Sequence, residues 1–467
     1  MSSEPSRLHR AAIAVLALGA LREAAFPIVI LLGASLAGRG LDTAALQRSG
    51  LYLVLGVGIA TLTGYLRWRS TSYSVDEQGV HYRTGIVSTK QTTVPLGRIQ
   101  GLDTVAGPVQ RLFGVVALHV QSAGGGAKGE IVLEAVGPTA VERVREAVGS
   151  RRPGAAAEDH PMPERRLGRR ELVIGALTAG QLGVILPALA ASTQLFGNAI
   201  SSERDIEDAT RLLPDTPGGW ELALAALLAV AWGLSAIGSI VSFAGFAVAR
   251  DGDRLRIRRG LLQRSDAVVP VRRIHAVRVV EGVLRRPFGL AALRLEVAGY
   301  AEERSAARTL FPLLRRHEVA AFLAELLPEL ADEPDGLAAP PARAARRYVL
   351  PPALAGAVAG AAACLLVPAA APWPLLAAPG LALNGWWSFR AAGWRLRDGR
   401  LALRSRTLAR TTLLTPAARL QQHATAQNPF QRRAGLADLA VAVGKGGRAR
   451  IRHLEAPVAA ELWERLR

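Results

Sequence analysis

The chain has 467 residues, half of them apolar, and its mean hydropathy of +0.21 is high for a soluble protein, which directs attention to membrane segments. Its 57 basic and 38 acidic residues give a formal charge of +19, which indicates an anionic partner such as a lipid surface or nucleic acid. The single cysteine, Cys364, excludes an intramolecular disulfide framework and a cysteine metal cluster.

Long apolar stretches predict six transmembrane helices arranged as three hairpins. A spanning helix needs about 20 apolar residues, and a charge at its centre costs about 2.5 to 3.5 kcal/mol. The apolar stretches are Ala11–Gly38, Gly50–Leu66, Leu172–Ser202, Leu222–Ala249 and Val349–Phe389. The last stretch is too long for one span, and prolines near its middle predict a turn that divides it into two helices.

The first helix has two alternative interpretations. Arg22 and Glu23 lie midway along it and would be costly at the bilayer centre, so the residues before them could instead lie along the interface. A secretory signal is the other alternative, because Arg7 and Arg10 precede an apolar core. No convincing small-residue cleavage site follows, which argues against a cleaved signal.

Arginine placement predicts the orientation of the helices, because loops that stay in the cytoplasm keep Lys and Arg near the helix ends. Arginines precede helices 1, 3 and 5 and follow helices 2, 4 and 6: Arg7, Arg10, Arg165, Arg166, Arg169, Arg170, Arg343, Arg346, Arg347, Arg67, Arg69, Arg250 and Arg390. The connection Glu203–Asp215 inside the second hairpin is acidic instead. We therefore expect a multi-pass protein with both termini in the cytoplasm.

The soluble segments after the hairpins are copies of one another. The proline, arginine and glycine landmarks of the first copy recur 175 residues later in the second and a further 146 residues later in the third. These landmarks are Pro95, Arg98 and Gly114, then Pro270, Arg273 and Gly289, then Pro416, Arg419 and Gly435. Identical spacing in three copies indicates duplication and predicts that the three glycines are turn positions of one fold.

Each copy has the pattern of antiparallel sheet followed by an amphipathic helix. Leu293, Leu295 and Val297 alternate with charged residues, as in a strand with one buried face. Val319, Phe322, Leu323, Leu326 and Leu327 form the apolar stripe of the final helix in the second copy. We expect a strand-rich sandwich closed by one helix.

These motifs resemble the membrane-associated bacterial pleckstrin-homology (PH) domains, in the multi-repeat YdbT-like proteins. The residues that carry the resemblance are Gly85-Ile86, Gly260-Leu261, Pro95–Gln100 and Gln110–Gly114. The resemblance implies a seven-stranded sandwich with a C-terminal helix on the cytoplasmic face of the bacterial cell membrane, without known catalytic residues. The third copy departs from the pattern at Arg406, Leu420 and Ala434, which puts its binding function in doubt.

The expected fold class is integral membrane α-helical hairpins plus cytoplasmic β-sandwich/α (PH-like) domains in three tandem repeats. The expected boundaries are hairpin 1 at 1–67, PH-like domain 1 at 68–150, a basic cytoplasmic linker at 151–170, hairpin 2 at 171–249, PH-like domain 2 at 250–332, a linker at 333–347, hairpin 3 at 348–390 and the divergent PH-like domain 3 at 391–467.

Seven arginines are candidates for binding headgroups or partner proteins. Arg98, Arg273 and Arg419 occupy one repeat position and could bind lipid phosphate or, alternatively, bond local carbonyls or carboxylates. The other candidates form the basic turn of the second copy: Arg256, Arg258, Arg259 and Arg264. Near anionic headgroups each could contribute about 1 kcal/mol, and as a solvated face they need no role.

No pattern predicts catalysis, a metal or a cofactor. His275 occupies a repeat position that Gln100 and Gln421 fill in the other copies, which an essential histidine would not tolerate. The run Gly124–Gly126 lies between two predicted strands and lacks the helix that a phosphate-binding loop requires, so we interpret it as a hairpin loop.

The sequence favours a non-enzymatic membrane scaffold whose partners are the lipid bilayer, anionic lipid headgroups or a sister membrane protein of the same family. The alternative is a transporter or a transporter accessory subunit, although repeats of one orientation and nearly apolar helices offer a substrate few contacts. Nucleic acid is not expected, because the excess arginine clusters beside the predicted membrane segments without an aromatic stacking ladder.

Overall fold

The computed structural model describes residues 6–21, 43–76, 78–86, 88–122, 130–149, 164–178, 217–297, 308–333, 335–366, 373–444 and 447–467. Several predicted features lie outside these ranges: Arg22 and Glu23, the glycine run Gly124–Gly126 and the acidic connection Glu203–Asp215.

The described helices and strands have the following bounds. The helices are α1 (Ala12–Leu21), α2 (Thr43–Arg69), α3 (Pro108–Leu112), α4 (Pro138–Gly149), α5 (Arg169–Leu177), α6 (Pro217–Phe243), α7 (Val319–Leu326), α8 (Ala345–Leu366), α9 (Ala377–Ala391), α10 (Pro429–Arg433) and α11 (Ala456–Arg465). The strands are β1 (Ser6–Arg7), β2 (Ser72–Val75), β3 (Gly79–Thr84), β4 (Lys90–Pro95), β5 (Ile99–Ala106), β6 (Val116–Ser122), β7 (Glu130–Val136), β8 (Arg165–Arg166), β9 (Ala247–Asp251), β10 (Arg254–Arg259), β11 (Arg264–Pro270), β12 (Ile274–Glu281), β13 (Leu290–Val297), β14 (Thr309–Arg315), β15 (Gly393–Arg397), β16 (Arg400–Arg406), β17 (Arg410–Pro416), β18 (Gln422–Ala426), β19 (Leu436–Ala442) and β20 (Arg448–Glu455).

The three copies share one order of elements, which confirms the predicted repeat. Each has three strands, a single 3-10 turn directly after the landmark proline, three more strands and a final helix. The 3-10 turns are Leu96–Arg98, Val271–Arg273 and Ala417–Arg419. Gly114, Gly289 and Gly435 have φ of +63°, +62° and +65°, a left-handed conformation that glycine adopts without steric cost. All three glycines are therefore turn positions of one fold.

A short β element before each pair of predicted hairpin helices also belongs to the sandwich. β1 precedes α1 and β2 follows α2 in the sequence, and the two strands pair with Ser6 opposite Tyr73. Ala338 forms a bridge with Trp394 across α8 and α9, and β8 is the neighbour of β9. Each sandwich thus gains a short β element, additional to the six strands of its copy, from segments expected to be hairpin or linker. Strands of only two residues are too short to show an alternation of apolar and polar residues, so the sequence could not predict them.

The start of the chain packs into the first sandwich. Leu8 and Ala12 are buried in the same apolar core as Val141 and Val144 of the closing helix α4. The indole N–H of Trp68 donates to the Leu8 carbonyl at 2.9 Å, which ties the end of α2 to this segment. The third copy has an equivalent core that includes Ala459 and Leu462 of α11.

The chain forms two compact units, and each contains one strand pairing between two copies. Unit 1 comprises Met1–Pro161, Gly168–Ala247 and Arg258–Val268; unit 2 comprises Met162–Leu167, Val248–Ile257 and Val269–Arg467. In unit 1, β5 of the first copy pairs with β11 of the second. In unit 2, β12 of the second copy pairs with β17 of the third. We call these two antiparallel pairings the first join and the second join.

Within the described residues one helix, Ala342–Leu366, is long and apolar enough to cross a membrane, and Ala12–Leu21 and Leu228–Phe243 are shorter apolar helices. α8 and α9 pack closely because glycines bring their backbones together. A Cβ on Gly356 would lie 2.6 Å from the Ala377 carbonyl oxygen, and one on Gly385 would lie 2.3 Å from that of Tyr348. Six spanning helices remain a prediction.

Candidate functional site

The turn between the second and third strands of copy two lies against the end of helix α6. β9 starts a few residues after α6 and β10 returns antiparallel to it, so the turn that follows β10 comes back to the helix end. The Gly260 N–H donates to the Ala244 carbonyl at 2.8 Å, and the Leu261 N–H donates to the Val241 carbonyl at 2.9 Å. These two bonds fix the turn on the helix.

This turn requires glycine at its first position. Gly260 has φ of +105°, and a Cβ there would lie 2.0 Å from the Gln263 carbonyl oxygen. Gly85 has the same role in copy one, with φ of +132° and the Ser88 carbonyl oxygen 1.9 Å from the position of a Cβ. In copy three Arg406 replaces the glycine, and β16 continues through it so that Arg406 pairs with Arg410. The third turn therefore has a different conformation.

Large apolar side chains are exposed at equivalent turn positions of different copies. The equivalent pairs are Ile86 and Leu261, Leu262 and Leu408, Phe113 and Phe288, and Leu284 and Phe430. Phe288 is 71 % exposed and Phe430 is 67 % exposed. Scattered exposed apolar residues need no explanation, but repetition at matching positions indicates a shared contact surface.

The first join brings two of these turns together. The guanidinium of Arg111, at the end of α3 in copy one, donates to the Leu261 carbonyl of copy two at 2.8 Å. We call Arg111–Phe113 and Arg258–Arg264 together the first composite site. Within this site Leu112 is 81 % exposed, and Leu261 and Leu262 are exposed as well. The site therefore presents an apolar tip that is bordered by arginines.

Two arginines of the first composite site have local partners. The Arg259 guanidinium lies over the Phe243 ring, 5.4 Å from its centroid, and burial lowers the pKa of Arg259. Arg258 Nε lies 3.5 Å from Asp266 Oδ2, a long ion pair on an exposed side chain. Arg264 is exposed at the start of β11. Arg258 and Arg264 are thus the most accessible charges of this turn.

The second join produces an equivalent arrangement from copies two and three. We call Val283–Phe288 and Arg404–Arg410 together the second composite site. The Arg406 guanidinium lies 4.9 Å from the Trp387 ring centroid near the end of α9, and its Nε donates to the Leu408 carbonyl at 3.3 Å. Burial, and then the charges of Arg286 and Arg410, lower the pKa of Arg406. Its Nη1 is buried without a hydrogen-bond partner among the described residues.

A buried carboxylate holds two arginine side chains in or beside the second composite site. Glu281 is 1 % exposed and accepts hydrogen bonds from Arg316 and Arg410. Arg404 donates to Asp335 at 3.2 Å, and burial together with the charges of Arg316 and Arg410 lowers the pKa of Arg404. These bonds occupy donors of Arg316, Arg404 and Arg410, whereas Arg406 Nη1 has no acceptor among the described residues. An oxygen acceptor such as a phosphate oxygen would satisfy it.

The predicted arginines lie in different environments. Arg98 is exposed, whereas Arg273 and Arg419 are half-buried. Arg419 donates to the Ile274 carbonyl, and its own carbonyl lies 3.1 Å from His275 Nδ1. In copy three this repeat arginine therefore bonds the neighbouring copy at the second join. Arg256 is half-buried in β10, separately from the exposed Arg258 and Arg264.

The residue patterns do not mark several residues of the composite sites as site residues: Arg111, Leu112, Phe113, Leu262, Arg286, Phe288, Trp387 and Leu408. Apolar turn residues have the same composition as core residues, so their exposure was not visible. The available signal was recurrence at equivalent repeat positions, which holds for Arg111 and Arg286, Phe113 and Phe288, and Leu262 and Leu408 but not for Leu112 or Trp387. No group of three or more His, Cys, Asp or Glu side chains suited to a metal ion occurs in the part of the chain that the structure describes.

The chain is similar to a known family and to a named protein. The family model described as bacterial PH domain matches residues 14–152, 184–330 and 349–467. The UPF0699 transmembrane protein YdbT of Bacillus subtilis (strain 168) is 26% identical over 400 residues, which cover 81% of this chain and 80% of that protein. No solved structure is significantly similar to this chain.

Proposed function

Because the chain belongs to the bacterial PH domain family, we propose that it is a non-enzymatic scaffold in the bacterial cytoplasmic membrane. In this proposal three helical hairpins cross the membrane, both termini are cytoplasmic, and the composite sites contact anionic headgroups of the inner leaflet. Partner proteins, including a sister protein of the same family, would bind the remaining cytoplasmic surface of the sandwiches.

The observation that carries the proposal is the attachment of the turns to helix ends. The Gly260 turn is bonded to the end of α6. The Phe430 carbonyl accepts a hydrogen bond of 2.6 Å from Arg347 in the first turn of α8. If these helices span the membrane, the apolar turn residues lie at headgroup depth. The similarity to a relative named as a transmembrane protein supports that placement.

The composition of the composite sites suits this depth. Exposed Leu and Phe side chains can enter the boundary between headgroups and acyl chains, while arginine stems follow them and keep the guanidinium at the phosphates. Fully burying one such apolar side chain contributes about 1.5 to 3 kcal/mol, and each arginine near an anionic surface contributes about 1 kcal/mol. Apolar contact then supplies most of the affinity, and the arginines supply the preference for anionic lipid.

The transporter alternative is not retained, because no observation in the described residues favours it. The exposed apolar pairs that recur at equivalent positions, such as Ile86 and Leu261, lie in the turns of the sandwiches. Such a distribution suits attachment of the cytoplasmic domains to a surface, which is what a scaffold requires.

The test places an environment-sensitive fluorophore on single cysteines of the full chain, reconstituted into nanodiscs in a Cys364→Ala background. Labels at Leu262→Cys and Leu408→Cys are expected to emit at shorter wavelength and to be quenched by nitroxide-labelled lipid. The control is a label at Asp398→Cys, in the hairpin at the opposite end of the strands from the turn. Equal quenching at all three positions would reject membrane contact by the composite sites.

A further inference from the structure

The first and second joins have the same register. Arg264 lies opposite Ala106 and Asp266 opposite Thr104 in the first join, and Arg410 lies opposite Glu281 and Thr412 opposite Val279 in the second. Arg264 and Arg410 are the same repeat position, and so are Ala106 and Glu281. The third strand of one copy therefore pairs with the fourth strand of the preceding copy by a fixed rule.

This rule leaves two strand edges unused. β4 is the copy-one equivalent of β11 and β17, and it is the last strand of the sheet β1-β2-β3-β4. β18 is the copy-three equivalent of β5 and β12, and it is the first strand of the sheet β18-β19-β20. Within the described residues neither strand has a neighbour on its outer side. Unpaired backbone N–H and C=O groups at such edges can pair with another chain.

We propose that β18 of one chain pairs with β4 of a second copy of this chain, in the register of the two internal joins. The occupant is a second copy because both complementary edges belong to this sequence. The register places Gln91 opposite Thr425 and Thr93 opposite His423. The contact is head-to-tail, because each edge pairs with the other edge and not with itself.

Side chains beside the two edges fit this arrangement. Arg419 bonds the Ile274 carbonyl in the second join, so its equivalent Arg98 would reach the Leu420 carbonyl of the second copy. Arg98 is exposed, as this role requires before pairing. Lys90 and Gln91 on β4 and Thr425 on β18 are also exposed and polar. Polar residues of this kind keep a free edge soluble, so we expect a reversible contact.

The pairing would also complete a third composite site. Each internal join combines the turn after the fourth strand of one copy with the turn after the second strand of the next copy. Two turns take no part in an internal join: the turn with Phe430 in copy three and the turn with Ile86 in copy one. Both of these side chains are exposed. This consequence rests on the proposed function, whereas the strand pairing itself does not.

The experiment uses cysteine cross-linking between two differently tagged full-length chains coexpressed in membranes, both with Cys364→Ala. One chain carries Gln91→Cys and the other carries Thr425→Cys. Directly opposite residues have Cβ atoms about 4.5 to 5.5 Å apart, so mild oxidation is expected to link the two tags. Either variant expressed alone should give no linked pair, because the contact is head-to-tail.

The matched control replaces Thr425→Cys by Ala424→Cys, which points to the opposite face of the strand. Its yield should be at least fivefold lower. Adding Arg98→Gln to the Gln91→Cys chain should lower the yield about twofold or more with folding unchanged by circular dichroism. Absence of a link between the tags, an equal yield with Ala424→Cys, or a link confined to a single chain carrying both cysteines would each overturn the proposal. None of these readouts depends on lipid contact, so they are separate from the Leu262 measurement.

Discussion

Glu281, the last residue of β12, lies directly opposite Arg410, the first residue of β17, and its buried carboxylate accepts hydrogen bonds from that guanidinium. In the first join the same positions are Ala106 and Arg264, and no carboxylate is present at that pair. The register of the joins is therefore set by the backbone pairing and by features common to all copies. The buried ion pair is an addition specific to the second join.

Replacing Glu281 should destabilise unit 2 because it removes the buried carboxylate from the half-buried Arg316 and Arg410, of which only Arg316 has a second carboxylate partner, Asp335. Removing one partner of a buried ion pair costs roughly 3 kcal/mol or more. We expect Glu281→Gln to lower the denaturation midpoint of the full chain in detergent. The exposed ion pair of Glu461 with Arg465 provides the control, since Glu461→Gln should change stability by less than about 1 kcal/mol. Equal effects of the two variants would contradict the role assigned to Glu281.

The Gly260 turn should not accept a side chain. Gly260→Ala places a Cβ against the Gln263 carbonyl oxygen at positive φ, and such strain costs about 1 to 3 kcal/mol. We expect a lower melting temperature, together with faster proteolysis at the turn. Gly282→Ala is the control, because a Cβ at Gly282 would have no neighbour within 4 Å. A neutral Gly260→Ala would show that the turn can rearrange as the Arg406 turn of copy three does.

The repeat arginines should differ in their contribution to stability. Arg419→Gln removes a hydrogen bond to the Ile274 carbonyl at the second join, a loss of about 1 kcal/mol that should appear as a lower denaturation midpoint. Arg98→Gln changes an exposed side chain and should leave the stability of the single chain unaltered. If both variants destabilise the chain equally, the repeat arginine acts within its own copy and not at the joins.

The basic turn of copy two should determine lipid preference. Replacing Arg256, Arg258, Arg259 and Arg264 by Gln is expected to lower the enrichment of anionic lipid around the purified full chain by roughly tenfold, because only Arg258 and Arg264 are exposed and salt screens the contribution of about 1 kcal/mol that each makes. The matched control replaces four arginines outside the composite sites: Arg145, Arg315, Arg397 and Arg465. Circular dichroism verifies folding in both variants. Unchanged enrichment in the first variant would reject the headgroup function and leave protein scaffolding.

High salt should distinguish the contribution of arginine charge to membrane contact from the contribution of apolar burial. The Debye length falls from about 10 Å at 0.1 M to about 3 Å at 1 M, so the preference for anionic lipid should weaken. Quenching of labels at Leu262 and Leu408 by nitroxide lipid should persist, since apolar burial is not screened. Loss of this quenching at 1 M salt would mean that the turns are held by charge alone.

The topology prediction concerns the three sandwiches and both termini, which we expect in the cytoplasm. A fusion of alkaline phosphatase after Gly149 should be inactive, whereas a fusion inside the acidic connection at 203–215 should be active. Activity of the fusion after Gly149 would contradict the arrangement. The arginine positions on which this prediction rests are properties of the sequence alone.

The sequence by itself determined the repeat and its local turns. Pro95, Pro270 and Pro416 each precede a 3-10 turn, and each copy places a glycine with positive φ at the predicted position. These features are local, because proline fixes its own φ and glycine alone adopts the left-handed region without steric cost. A constant spacing of such residues is therefore sufficient to define the unit and to count its copies.

Only the tertiary structure decided which strands of different copies meet and which apolar residues stay exposed. β5 and β11 are far apart in sequence and pair through backbone groups, which every residue type carries, so no residue pattern predicts the partner. Leu261 and Phe288 have the composition of core residues, yet the join and the helix ends place them on the surface. Whether an apolar side chain is buried depends on the elements that cover it, and those elements are distant in sequence, as Leu8 and Val144 are within one core.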